Sequence, residues 1–168
     1  MWCVVKCRAG KAGEIMELCR QSLSRELLQE TFQFTHDRMR RYEGSWHVEC
    51  EQMFPEYVFL ETEDPAALKK ALKPYQDLVQ LLEDGTLLQR VDPEEEKLLR
   101  LLGGKEHHLN ISQGYIRDGV TYVTGGPLVG LESRIRKIDR HKRTAQIETS
   151  DDGLGNFFTA GLEIVSKS

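Results

Sequence analysis

The sequence has no apolar run that approaches the roughly 20 residues needed to span a bilayer. Its beginning, MWCVVKCRAG, lacks the charged region and the cleavage pattern of a secretory signal. Only 4 of the 168 residues are cysteines, none with CxxC spacing, and Cys3, Cys7, Cys19 and Cys50 lie among apolar residues. This usage is typical of buried thiols in a reducing compartment and disfavours a zinc site. These absences predict a cytoplasmic protein that does not associate with membranes.

Signatures of catalysis are also missing. The sequence contains no GxSxG, no HExxH, no Walker loop and no dinucleotide fingerprint. His107 and His108 are adjacent, so their side chains would diverge rather than share a metal ion, and the acidic run 94–96 fits the first turn of a helix. We therefore predict no catalytic residue, no metal and no cofactor. An enzyme with a degenerate fold is the alternative, and it would require a cluster of polar side chains in a pocket.

Short strands and helices alternate over residues 1–104. Strands are predicted at 2–8, 32–38, 46–54 and 57–62, and helices at 11–29, 65–73 and 93–102. Asp64-Pro65 and Asp92-Pro93 each place aspartate at the N-cap and proline at the first helical position. In strand 57–62, Tyr57 and Phe59 are expected to point outward, with a place in the core as the alternative for Phe59. The order predicts an α+β domain with helices on a mainly antiparallel sheet.

A different pattern covers residues 117–168. Five short strands are predicted near 120–124, 134–138, 144–148, 157–159 and 162–165, with turn signals between them. Five strands in about fifty residues suggest a small closed β-barrel, which leaves no vulnerable sheet edge. The polar segment 105–116 lacks a clear period and is predicted to be a linker.

A basic cluster lies in this C-terminal region, although the net charge of the chain is −4. Six Lys or Arg residues and one His fall within ten positions, where Asp139 is the only acid. Arg134 and Arg136 are two positions apart and are expected to share one face of a strand, followed by a loop. Such a surface would meet phosphate groups by releasing counterions, and an ordinary basic edge is the alternative. The predicted RNA-binding residues are Arg134, Arg136, Lys137, Arg140, His141, Lys142 and Arg143.

Several of these segments resemble the NusG family of transcription factors. The strand that begins at Trp2, the helix after it and the segment FPEYVFLET (54–62) are similar to the NGN domain. The segment GGPLVGLESRIRKIDRHKRTAQIE (125–148) resembles a KOW domain. The order and spacing match over essentially the whole chain. RMRRYEGSWHVE, RKIDRHKRTA and the terminal GLEIV look most like the LoaP-type antiterminator paralogs.

The resemblance implies a monomeric bacterial elongation factor that promotes processive antitermination. Its NGN domain would bind the clamp helices of RNA polymerase, and its KOW domain would recognise a hairpin in the nascent leader RNA. The candidate polymerase-binding residues are Trp2, Phe54, Pro55, Tyr57 and Phe59, some of which could instead be core. Arg38, Arg40 and Arg41, near a predicted hairpin tip, are candidate contacts to non-template DNA, with a solvated hairpin end as the alternative.

Three positions depart from the family pattern. Glu56 replaces the glycine of the Phe-Pro-Gly-Tyr segment, so that either Glu56 has a positive φ or the turn differs. Ser133 replaces the usual glycine of the KOW motif, and DDGLGNFF (151–158) replaces the family's phenylalanine-rich loop. The changed loop puts in doubt the contacts that the family makes through it, including those with the ribosome, and together with the basic cluster it favours the antiterminator. The alternative is a housekeeping NusG-like elongation or termination factor whose KOW domain binds a termination factor or the ribosome.

Overall fold

The computed structural model describes residues 1–80, 85–149 and 154–168. The described residues belong to two compact units, the first made of residues 1–33 and 54–96 and the second of residues 34–53 and 97–168. The second unit therefore includes a segment that the sequence assigned to the predicted domain 1–104. The division into domains 1–104 and 117–168 with a linker between them stays a prediction, because a compact unit need not be an independently folding domain.

The elements are numbered here in chain order. The helices are α1 (Ala12–Ser22), α2 (Pro65–Leu72) and α3 (Pro93–Gly103). The strands are β1 (Trp2–Cys7), β2 (Glu30–Phe32), β3 (Thr35–Tyr42), β4 (Ser45–Gln52), β5 (Tyr57–Glu61), β6 (Val79–Gln80), β7 (Gln89–Arg90), β8 (His108–Leu109), β9 (Ser112–Arg117), β10 (Val120–Gly125), β11 (Ile135–Asp139), β12 (Thr144–Glu148) and β13 (Phe157–Lys167).

The sheet of the first unit has the order β2-β5-β1-β6, and β7 also pairs with β1. The pairs of this sheet are antiparallel. One face packs on α1 and α2, where the alternate residues Cys3 and Val5 of β1 join Ile15 of α1 and Leu68 of α2 in one buried cluster. Burial raises the pKa of the Cys3 thiol to about 11.

The opposite face of this sheet carries an aromatic cluster. Trp2, Phe32, Phe54 and Phe59 are all at most 6% exposed. The ring centroids of Trp2 and Phe32 lie 5.0 Å apart, those of Phe32 and Phe59 lie 5.3 Å apart, and those of Phe54 and Phe59 lie 5.8 Å apart. The expectation that Phe59 points outward is wrong, because both faces of β5 are buried.

The two predicted helix starts are confirmed. Oδ1 of Asp64 accepts the N–H of Ala67 at 3.1 Å, and Oδ1 of Asp92 accepts that of Glu94 at 3.0 Å. Helix α1, in contrast, ends at Ser22 rather than near residue 29. The hydroxyl of Ser24 accepts the N–H of Leu27 at 3.3 Å, and this local bond competes with continuation of the helix.

The second unit contains two sheets, with the orders β4-β3-β8 and β10-β9-β13-β12-β11. Strands β3 and β4 form a hairpin whose turn residues, Glu43 and Gly44, have φ values of 53° and 76°, as a two-residue hairpin turn requires. The predicted linker 105–116 contains β8 and most of β9. The two predicted strands at 157–159 and 162–165 are one strand, β13, which pairs first with β12 and then with β9.

Gly161 lies in β13 where a side chain could not be placed. A Cβ atom there would be 2.8 Å from the carbonyl oxygen of Asp37 and 2.9 Å from Cγ1 of Ile111. Both distances are well below ordinary contact, so the glycine allows β13 to pass close to β3.

The predicted fold class is confirmed: an α+β N-terminal region with helices on an antiparallel sheet is followed by a small β-rich C-terminal region. Among the described residues, no helix combines the length and apolar character that crossing a membrane requires. The same residues contain no group of three or more His, Cys, Asp or Glu side chains arranged to hold a metal ion.

Replacing Phe59 with alanine should lower the free energy of unfolding by about 3–5 kcal/mol, because the ring is fully buried among other rings. Urea denaturation of the whole chain, followed by circular dichroism, measures the change. Phe157, which is 48% exposed, offers a matched control, and Phe157→Ala should change the stability by no more than about 0.5 kcal/mol. Equal losses in both variants would contradict the core position of Phe59.

Candidate nucleic-acid interface

The centre of the basic cluster is a turn formed by residues 140–143, between β11 and β12. Oδ1 of Asp139 accepts the backbone N–H of Lys142 at 2.9 Å. This hydrogen bond, together with the charges of Lys142 and His141, lowers the pKa of Asp139. Arg143 ends the turn with a φ of 54°. The basic turn therefore has a defined, hydrogen-bonded conformation, and we call residues 140–143 the basic turn below.

Arg134 and Arg136 do not lie on one strand. Arg134 belongs to a short 3-10 helix, Glu132–Arg134, and the pairing of β11 is irregular between Ile135 and Lys137. The expectation that the two arginines share a strand face is therefore wrong. Both nevertheless reach Glu148: Nη1 of Arg134 donates to its carbonyl oxygen at 3.4 Å, and Nη2 of Arg136 donates to Oε1 at 2.8 Å.

Some residues of the basic cluster form ion pairs with a carboxylate, and others do not. The hydrogen bond from Arg136 lowers the pKa of Glu148, and Nη1 of Arg143 lies 3.4 Å from Oε1 of Glu163. Lys137 and Arg140 are exposed, and neither has a carboxylate partner in the part of the chain that the structure describes. Lys142, which is also exposed and has no carboxylate partner among the described residues, adds to the charge that is free to meet a phosphate group.

The three arginines of the β3–β4 hairpin also divide into two groups. Arg38 and Arg40 lie on one face, where Nη1 of Arg38 is 3.4 Å from Oε2 of Glu51 and Nε of Arg40 donates to Oε1 of Glu51 at 2.7 Å. Burial raises the pKa of Glu51, but the hydrogen bond from Arg40 and the charge of Arg38 outweigh it, so that the net shift is downward. Arg41 lies on the other face and, among the described residues, has no carboxylate partner.

Trp46 is a site residue that sequence reasoning missed. It lies directly opposite Arg41 in the antiparallel pairing of β3 and β4, so the two side chains share a face. The guanidinium carbon of Arg143 lies 3.9 Å from the centroid of the Trp46 ring, within cation–π distance. The alternation of β4 indicated the face on which Trp46 lies, but no local pattern indicated that the basic turn would meet it.

The candidate polymerase-binding residues are not all on the surface. Trp2, Phe54 and Phe59 are members of the buried aromatic cluster, Tyr57 is half-buried and Pro55 is exposed. The N–H of Tyr57 donates to the carbonyl of Phe54 at 3.0 Å, so residues 54–57 form a turn. Position 56 of this turn does not have a positive φ, and glutamate there replaces the family glycine without that strain.

The order described above, an α+β region followed by a small β-rich region, is similar to the fold of a solved NusG structure. Among solved structures, the chain is similar to one titled "Domain interaction in Thermotoga maritima NusG", with a TM-score of 0.53 and 17% sequence identity. The likeness covers 97% of this chain and 93% of that chain, and it establishes the fold. No protein-family model matches the sequence, and no curated protein matches it either.

Replacing Arg136 with glutamine should raise the pKa of Glu148 toward its ordinary value, because the hydrogen bond and the charge that lower it are removed. NMR titration of the Glu148 carboxyl carbon measures this pKa.

The lowered folded-state pKa of Glu148 stabilises the protein at pH values above the ordinary glutamate pKa of about 4.3, and this stability is lost as the pH falls through the folded-state pKa. The variant should therefore lose less stability on acidification. Lys137→Gln, at the neighbouring position, is the control and should leave the titration unchanged.

Proposed function

We propose that the protein is a specialised NusG-type transcription elongation factor. It binds bacterial RNA polymerase through its NGN domain and promotes processive antitermination, and its KOW domain recognises a hairpin in the nascent leader RNA. The likeness of fold over 97% of the chain supports the general class. The observation that carries the RNA-binding part is the pair of exposed cations, Lys137 and Arg140, that no carboxylate of the described residues neutralises.

The basic turn supports RNA recognition through its geometry. Arg136 and Arg143 are oriented by Glu148 and Glu163, at 2.8 Å and 3.4 Å, so that binding of a phosphate at either one competes with an existing ion pair. Lys137 and Arg140 have no such competition. Together with Lys142, they are expected to supply most of the electrostatic affinity for RNA, which arises from the counterions that the phosphates release.

For the polymerase contact, the surface of the turn 54–57 is the best-supported candidate. Pro55 is exposed and Tyr57 is half-buried, while Phe54 and Phe59 lie beneath them in the aromatic cluster. Aromatic residues are enriched at protein interfaces, and tyrosine and tryptophan are enriched among the residues that contribute most of the binding energy. The buried members of the predicted set, including Trp2, would then support the surface without touching the clamp helices themselves.

Of the three arginines of the β3–β4 hairpin, Arg41 is the main candidate for a contact to non-template DNA. Arg38 and Arg40 could contribute only in competition with Glu51, which accepts hydrogen bonds from both. Arg41 is exposed and has no carboxylate partner among the residues that the structure describes.

A double variant at Lys137 of β11 and Arg140 of the basic turn tests the RNA-binding proposal. Lys137→Ala/Arg140→Ala should reduce read-through of a terminator placed downstream of the candidate leader in a reporter strain. It should also lower the salt slope of RNA binding by the full chain, by roughly 0.7–0.9 for each lost phosphate contact. Lys69→Ala/Lys70→Ala removes the same charge from the exposed side of α2 and is the control. An unchanged slope in the first double variant would refute the assignment.

A single substitution tests the polymerase contact. Tyr57→Ala should weaken co-purification of the full chain with RNA polymerase by at least roughly tenfold, the loss typical of a central aromatic contact. Tyr122→Ala, at a tyrosine that is 43% exposed in β10, is the control and should bind polymerase normally. If the two variants bound polymerase equally well, the turn 54–57 would not be the contact surface.

One observation favours the alternative of a KOW domain that binds a protein. The rings of Tyr115 and Tyr122 stack with centroids 5.0 Å apart, and Val120 beside them is 51% exposed. A housekeeping factor could use this surface for a termination factor or the ribosome. Read-through that depends on Tyr122 and is indifferent to Lys137 and Arg140 would favour this alternative. The departure in DDGLGNFF falls partly on residues 151–153, which lie outside the described residues.

A further inference from the structure

We propose that a cleft between the β3–β4 hairpin and the basic turn binds a single unpaired nucleotide of an RNA. This inference rests on the proposed RNA-binding function and adds a second, selective site to it. The hairpin–turn cleft is lined by Arg41 and Trp46 of the hairpin, Ile138 of β11, Arg140 and Arg143 of the basic turn, and Ile164 of β13. Its volume of about 860 Å³ lies in the range of small-ligand sites, about 300–1,000 Å³.

The cleft has an apolar, aromatic part. Trp46, Ile138 and Ile164 line it, and each of them is partly exposed. Unpaired bases of RNA are recognised by stacking on aromatic rings and on arginine guanidinium planes. The guanidinium of Arg143 already lies on one face of the Trp46 ring, with its carbon 3.9 Å from the ring centroid, so a base would extend this stack from the outer face of either group.

This stacking pair is held in place before any ligand arrives. Nη1 of Arg143 lies 3.4 Å from Oε1 of Glu163 on β13, and the left-handed φ of 54° at Arg143 sets the direction in which the chain enters β12. Trp46 is positioned by the pairing of β4 with β3. A platform that is already ordered reduces the entropy lost when a base stacks on it.

The cleft also has a cationic part that suits the phosphate of the same nucleotide. Arg41, Lys137 and Arg140 line it and are exposed, and among the described residues none has a carboxylate partner. Asp139 is the one acidic residue of the lining, and its Oδ1 already accepts the N–H of Lys142. A cleft lined mainly by charge of one sign concentrates ligands of the opposite charge.

The combination of the two parts identifies the ligand. A paired stem would offer phosphates but no base face, since its bases are stacked and its deep groove is closed to side chains. An acidic peptide would satisfy the cations and add nothing to the stack that Trp46 and Arg143 form. A nucleotide in a bulge or a loop of an RNA hairpin supplies both a base face and a phosphate.

Fluorescence anisotropy with the full chain tests the proposal. The probes are a fluorescein-labelled RNA hairpin with a single bulged adenosine, the same hairpin fully paired, and the bulged hairpin as DNA. Base stacking is worth about 1–3 kcal/mol, so the bulged RNA should bind roughly 5- to 150-fold more tightly than the paired RNA. The bulged DNA lacks the 2′-hydroxyl groups by which proteins distinguish RNA from DNA, so it should bind less tightly than the bulged RNA.

Three variants separate the cleft from the rest of the basic surface. Trp46→Ala should abolish the preference for the bulged RNA and leave the affinity for the paired RNA unchanged. Trp46→Phe keeps an aromatic ring and should retain most of the preference for the bulged RNA. Arg41→Ala should also reduce the preference for the bulged RNA. Because Arg41 is on the exposed end of the hairpin, this variant tests the cleft even if Trp46→Ala does not fold. Lys137→Ala/Arg140→Ala should weaken binding of both RNA hairpins.

The outcomes distinguish failure of the cleft from failure of the proposed function. Equal binding of bulged and paired RNA, or an undiminished preference in both Trp46→Ala and Arg41→Ala, would overturn the cleft while RNA binding by the basic turn stood. If the protein bound the bulged DNA as tightly as the bulged RNA, the assignment of the ligand to RNA would be overturned. No binding of either RNA hairpin at low salt would overturn the cleft and the RNA-binding function together.

Discussion

The second unit depends on the path of β13. Up to Gly161 the strand pairs with β12, and from Leu162 onward it pairs with β9. Leu162 is fully buried, and the missing side chain at Gly161 lets the carbonyl oxygen of Asp37 in β3 approach. Because β12 begins where the basic turn ends and β3 carries Arg41, the path of β13 determines how near the turn lies to the hairpin. A side chain at position 161 would act on the hairpin–turn cleft without touching any residue that lines it.

The carboxylates of this unit are distributed so that some cations are oriented and others are left free. Glu51, Glu148 and Glu163 form ion pairs with Arg40, Arg136 and Arg143 respectively. Ion pairs this exposed contribute only about 0–1 kcal/mol each to stability. Their larger effect is on geometry and on binding, since an arginine that already has a carboxylate partner gains less from a phosphate. The net charge of −4 therefore conceals a surface on which Arg41, Lys137 and Arg140 remain available.

Local patterns in the sequence predicted most of the fold, and the errors have a common cause. Asp64 and Asp92 cap helices because the interaction spans only a few residues. The short apolar run of β1 and the alternation in β4 and β5 mark strands for the same reason. Alternation cannot show whether the second face of a strand is covered, which is why Phe59 was misplaced. Gly161 resembled a break between two strands, whereas it marks a close approach of β3. Trp46 escaped notice as a site residue because its contact with Arg143 joins positions far apart in the sequence.

The difference between cations with and without carboxylate partners affects how a polymerase-bound factor would discriminate between RNAs. Tethering to the polymerase raises the effective concentration of the nascent transcript, so that high intrinsic affinity is not needed. Phosphate contacts by Lys137 and Arg140 would then be sufficient for attachment, but they are nearly independent of sequence. Discrimination requires a contact that a wrong RNA cannot make, and an ordered aromatic platform that stacks on an unpaired base meets that requirement. In this arrangement Lys137 and Arg140 supply affinity, the Trp46–Arg143 pair supplies selectivity, and β13 determines how the hairpin and the basic turn are placed relative to each other.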